Sequence, residues 1–255
     1  MTQPSTQRPG NAASQAQRIL CQGRYETRAM LSNGEQLVIA IVLPLMALFG
    51  LTFTNLLDGV ETTAINAATP GVLTLCVVST AFTGQGIATG FDRRYGVLRF
   101  LSTTPLGRAG LIYGKVIAVL SVLAIQVVVI CSTALLLGWT PAPGGLPLAA
   151  VLLVLGAAAF TALGLLIAGT VRPEATLAIT NLAWVLLAGI GGVLFPAASS
   201  PAFIRPVIEL LPSAALGDGL RSALIDGSAS GPSLLILAVW TVLAGLAATR
   251  YFKWN

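Results

Sequence analysis

The sequence predicts an all-α protein that crosses a bilayer six times, and three observations carry the prediction. Of its 255 residues, 55% are hydrophobic and only 9% charged, against about 25% charged in an ordinary soluble domain. The apolar residues gather into six runs, each close to the roughly 20 residues that a helix needs to span a hydrocarbon core of about 30 Å. The Lys and Arg residues collect in alternate connections between those runs, the bias that sets membrane topology. With a mean hydropathy of +0.86, a water-soluble fold could not bury so much apolar surface.

The elements follow in order. Residues 1–15, dominated by Gln, Ser, Thr, Pro, Asn and Ala, read as a disordered tail, and residues 16–255 as one transmembrane domain. Between Ser14 and Met30, helix formers and arginines surround Ile19, Leu20, Tyr25 and Met30. This pattern suits an amphipathic helix on the inner leaflet, its arginine stems reaching the headgroups. A short soluble lead-in is the alternative, and the interfacial helix is favoured. The first apolar run starts near Leu37, too late and too long for a signal peptide, so no cleavable signal is expected. The spans are expected at about 37–57, 71–91, 111–138, 148–171, 175–195 and 232–252. The third is long enough to tilt. Continuous apolarity sets all six apart from β-barrel strands, which alternate over about ten residues. The last connection, 196–231, is long without being hydrophilic. Its apolar pieces, Phe203 to Leu211 and Ala214 to Ile225, are interrupted by Pro206 and Pro212. Each is too short to span and reads as a re-entrant or interfacial helix on the outer side.

All of the 14 Lys and Arg except Arg205 and Arg221 fall on one side of this arrangement. By the positive-inside rule that side is cytoplasmic and holds both termini, in a cell's cytoplasmic membrane. The net charge of +5 therefore reads as topology and attraction to anionic headgroups. Nucleic acid is not an expected partner, because no basic cluster is interleaved with aromatics.

The residues available for chemistry are few. Histidine is absent, which removes the usual general base and metal ligand. Cys21, Cys76 and Cys131 lie far apart, with no metal or redox spacing. A phosphate loop needs GxxxxGK and then Ser or Thr; around Gly114-Lys115 the first glycine is Ala109 and the hydroxyl is Val116. Asp58 and Glu61 read as solvated caps at the end of the first span. No catalytic residue, metal site or cofactor is assigned to the chain. Within the spans the notable polar side chains are Asn55, Gln85, Gln126 and Asn181, and the one ionisable group is Lys115 at a margin. Gln85, Gln126 and Asn181 are candidates for lining a pathway or for packing. At Gln85, beside the small pair Gly86 and Gly90, packing is favoured. Ion-coupled carriers bury titratable groups near the midplane, which disfavours a secondary transporter or channel. A lipid-modifying membrane enzyme lacks both histidine and an acidic cluster for magnesium.

The connection between the second and third spans carries the strongest pattern. On one helix, Tyr95, Leu98 and Leu101 share a stripe, with Val97 and Phe100 beside it, and Asp92, Arg99 and Thr103 lie on another face. Pro105 ends that helix. Alone, the segment fits a two-faced docking helix or an amphipathic loop resting on the membrane.

Asp92, Arg93, Gly96, Leu98, Leu101, Thr104, Pro105, Arg108, Gly114 and Lys115 occur in the order of a family pattern, with Arg94 or Tyr95 and Arg99 where that family often has acidic residues. A second match is Leu211-Pro212 followed by an apolar stretch and Leu220-Arg221 before the last span. Together these resemble the membrane subunit of ABC-2 type ABC transporters, most closely the drug and antibiotic exporter branch. The resemblance implies a permease half that pairs with a second permease, the same chain or a homologue, and with two ABC-type ATP-binding subunits. ATP and magnesium would sit on those subunits. Residues 92–104 would be the coupling helix, with Leu98 and Leu101 entering a groove on the ATPase. The substrate would be hydrophobic or amphipathic.

Overall fold

The computed structural model describes residues 13–54 and 62–252. Asn55, Asp58, Glu61 and most of the expected tail lie outside the described residues. Those described form helices and turns, with no strand among them.

Helix α1, Gln15–Ser32, opens on a capping box. The Ser14 hydroxyl accepts from the Gln17 amide, and the Gln17 side chain accepts from the Ser14 amide, which satisfies amides that a helix start leaves unpaired. Helix α2 is Gly34–Phe53. The next span combines α3, Ala64–Val77, a π-helical segment, Val78–Gly84, and α4, Gln85–Arg94. Helix α5, Val97–Ser102, is a short corner before α6, Gly107–Leu136. Then come α7, Leu146–Thr170, and α8, Pro173–Ile190. Both carry proline in the first turn, where the missing N–H costs nothing. Short α9, Arg205–Glu209, and α10, Pro212–Leu224, precede α11, Gly231–Tyr251.

Among the described residues, five helices are long and apolar enough to cross a membrane: Ala64–Arg94, Gly107–Leu136, Pro143–Thr170, Pro173–Ile190 and Gly231–Tyr251. The apolar part of α2, Ala40–Phe53, is shorter. The chain is thus an all-helical, polytopic membrane protein.

The second span is the axis of the bundle: 89% of its apolar window is buried, against 17% for α8 and 22% for α11. Small residues let its neighbours approach. Gly86 faces Thr180 of α8, where a Cβ would stand 2.9 Å from Thr180 Cγ2. The small pair read from the sequence therefore works in helix packing. Large apolar side chains such as Val42, Met46, Leu182, Val185, Leu243 and Leu246 point outward from α2, α8 and α11. An apolar belt of that extent needs lipid or another subunit as its solvent.

Two of the expected spans shift most. The second span starts earlier than expected, at Ala64, and runs to Arg94 rather than Phe91. The fifth stops at Ile190 rather than Phe195, because Gly192 takes a positive φ of 77°, a conformation that side-chain-bearing residues rarely adopt.

Candidate functional site

Three neighbourhoods hold the residues singled out by the sequence. The first is the basic end, where α1, α5 and the ends of α4, α7 and α11 meet the starts of α6 and α8. Residues 92–104 are not one helix. Gly96 sits at φ 76° between α4 and α5, so Asp92 and Arg93 finish the second span and only Val97–Ser102 forms the corner helix. Leu98 is fully buried and Leu101 is half-buried against the same cluster. That cluster includes Leu106, Leu111, Leu165, Ala248 and Phe252. Leu98 and Leu101, expected to enter a partner's groove, pack in this chain against their own bundle. The free apolar face is the opposite one, where Tyr95 is 74% and Phe100 70% exposed, with Val97 and Arg99 between them. Thr104 donates to the Leu101 carbonyl, and the Pro105 carbonyl accepts from Arg18 of α1.

Lys115 belongs to the same basic end. Its side chain is wholly buried, with Nζ 3.0 Å from Glu26 Oε1 and 3.2 Å from Asp92 Oδ2. This ion triad joins α1, α4 and α6. Gly23 and Gly114 allow it to form: a Cβ on Gly114 would lie 2.8 Å from Gln22 Cγ, and one on Gly23 2.8 Å from Ile117 Cγ2. Arg93 donates to the carbonyls of Ala168 and Val171, acceptors that the end of α7 leaves unpaired. Arg108 donates to those of Thr249 and Arg250. Sequence reasoning missed Glu26, which carried no signal beyond being a carboxylate among the arginines of an amphipathic stretch.

The second neighbourhood is a cavity of about 730 Å³ between α1, α2, the π segment, α4 and α8. Gln85, Asn181 and Trp184 are on its wall, and Glu26 and Asp92 at one end. Trp184 is fixed by a 2.8 Å hydrogen bond from Nε1 to Ser79. Gln85 is 1% exposed; its Nε2 meets Met30 Sδ, while its Oε1, like Thr83 Oγ1 nearby, has no hydrogen-bond partner. Of the three polar candidates, Gln85 and Asn181 therefore line the cavity. Gln126 does not: it accepts from Thr80 and donates to the Ala40 carbonyl, tying α6 to the π segment and α2.

The third neighbourhood is at the opposite end. Leu211 adopts the extended cap conformation and Pro212 opens α10. Leu220 is fully buried. Arg221 donates to the carbonyls of Gly192 and Val193 and to Asp218 Oδ1, at 3.1, 2.7 and 2.9 Å. It thereby pairs carbonyls of the turn that follows α8. Burial raises the Asp218 carboxyl above its ordinary range, opposed by the guanidinium beside it. α10 is thus a short helix packed within the protein.

Comparison with curated proteins returned no match. A family model described as ABC-2 family transporter protein matches residues 55–250, which covers the spans from the second onward, the corner helix and the α10 motif. The chain belongs to the ABC-2 family of transporter proteins and is a membrane component of an ABC transporter.

Proposed function

We propose that the chain is one permease half of an ATP-driven exporter, with six spans and both termini on the cytoplasmic side of the cytoplasmic membrane. Two halves, identical or homologous, form the membrane unit, and two ABC-type ATP-binding subunits carrying ATP and magnesium dock beneath it. The chain itself performs no hydrolysis. The observation that carries this reading is the outward apolar face of α5, at the end of the bundle where the basic residues gather. An exposed aromatic residue beside an arginine is what a protein interface uses as an anchor. Closure of the ATP-binding subunits would push this face, and the buried leucines behind it would pass the movement to α4 and α6. The cavity, predominantly apolar with a few polar groups, suits a hydrophobic or amphipathic cargo such as a drug, antibiotic or lipid-like molecule.

Phe100→Asp tests the docking face. With the ATP-binding subunit co-expressed, this variant should lose at least tenfold in co-purified partner and in substrate-stimulated hydrolysis. Its thermal midpoint should remain unchanged, because Phe100 has little to lose from its own fold. Full retention of the partner would remove α5 from the docking surface.

Orientation has its own test. A cysteine at Pro143, in the turn before α7, should react with an impermeant thiol reagent on intact cells, and one at Ser102 only after permeabilisation. Labelling at Ser102 from outside would invert the topology.

A further inference from the structure

We propose that the cavity beside the π segment selects organic cations, specifically amphipathic molecules whose cationic group carries N–H. The proposal rests on the permease reading and names the substrate class of its cavity. Glu26 and Asp92 are the charged residues on the described wall. Both contact Lys115, so two carboxylates share one ammonium, and the triad keeps a surplus negative charge next to the cavity. Lys115 is not itself on the wall.

The second observation is independent of that charge. Gln85 is buried on the same wall, and its carbonyl oxygen lacks a donor. A buried acceptor left unpaired is destabilising, and a ligand N–H would relieve that cost. Thr83 Oγ1, also without a partner, belongs to the same wall. Trp184 and Phe91 supply aromatic surface, which attracts cations more than neutral or anionic molecules. From Ser79 to Asp92 the wall extends over roughly 20 Å at 1.5 Å per residue. A ligand with a long apolar body can thus rest along the span while its cationic N–H group stays toward the charged end. An anion would meet the surplus negative charge, and a neutral lipid would leave Gln85 unpaired.

The test uses the full transporter complex in nanodiscs without nucleotide and three fluorescent or radiolabelled probes. These are rhodamine 6G, a cation with N–H groups; tetraphenylphosphonium, a cation with none; and fluorescein, an anion. Rhodamine 6G should bind at least tenfold more tightly than fluorescein. Gln85→Leu should weaken rhodamine 6G about tenfold and leave tetraphenylphosphonium nearly unchanged. Thr83→Val is the second variant should Gln85→Leu not fold, with a smaller loss in the same direction. Glu26→Gln combined with Asp92→Asn leaves Lys115 uncompensated and should reverse the preference toward fluorescein. Equal binding of the three probes, or loss of both cations alike in Gln85→Leu, overturns the proposal. The permease reading fails separately, if rhodamine 6G binds as expected yet neither stimulates the partner's ATP hydrolysis nor is moved by it.

Discussion

Lys115→Met should lower the apparent melting midpoint of the detergent-solubilised protein by roughly 6–12 °C, the largest effect expected of a single substitution at the basic end. The ammonium is fully buried and holds two carboxylates that are 13% and 31% exposed. Methionine nearly matches the volume of the stem but leaves Glu26 and Asp92 facing each other without a counter-charge. Breaking a buried pair from one side typically costs 3–5 kcal/mol. Because both carboxylates retain some access to water, about 3 kcal/mol is the fitting figure. The triple variant Lys115→Met, Glu26→Gln, Asp92→Asn removes every charge together and should recover most of the loss, since a neutral substitute for an ion cluster is often no less stable. Size-exclusion chromatography after heating reads both. A single variant as stable as wild type would show that the triad does not hold α1 to the spans.

The second large effect is expected at the opposite end. Arg221→Met strips donors from the carbonyls of Gly192 and Val193 and leaves the partly buried Asp218 without its counter-charge. The expected loss is about 3 kcal/mol. Arg221→Lys keeps the charge but not the planar fork that reaches several acceptors at once, so it should recover less than half. A cysteine at Leu194 should become reactive in Arg221→Met as the unwound end of α8 comes free. Wild-type melting together with an unreactive Leu194 cysteine would mean that α10 holds α8 by packing alone.

The spans were legible in the sequence because hydropathy is summed over some twenty residues, and no tertiary contact is needed to read it. The corner was legible only in part. Its pattern located Asp92 to Pro105 but not the direction of each face. α5 is apolar on both sides, Leu98 and Leu101 on one and Val97 and Phe100 on the other, so periodicity alone left the choice open. Gly96 then decided it, since a left-handed residue there detaches Tyr95 from the stripe that an unbroken helix would have given it. The triad was not legible: Glu26 and Lys115 are 89 residues apart, and each looks like an ordinary charge near a membrane surface. The fifth span was overestimated because Gly191 to Phe195 is apolar, while the backbone turn at Gly192 and the arginine that accepts its consequences depend on α10. For the α10 motif, Leu211, Pro212, Leu220 and Arg221 were located in sequence, but their work as a cap, a start and a clamp needed α8 in view.

Arg93 changes how the corner must be pictured mechanically. Its guanidinium grips the last carbonyls of α7, while Leu98 grips the cluster shared by α6, α7 and α11. The junction behind α5 is therefore a fulcrum and not a slack hinge. A load applied at Phe100 acts through a lever arm only a few residues long. Under the proposed coupling it would arrive as torque on joined helix ends, so that α7 would turn together with α4 and α6. Loosening the grip at Arg93 would let the same load dissipate in the corner itself.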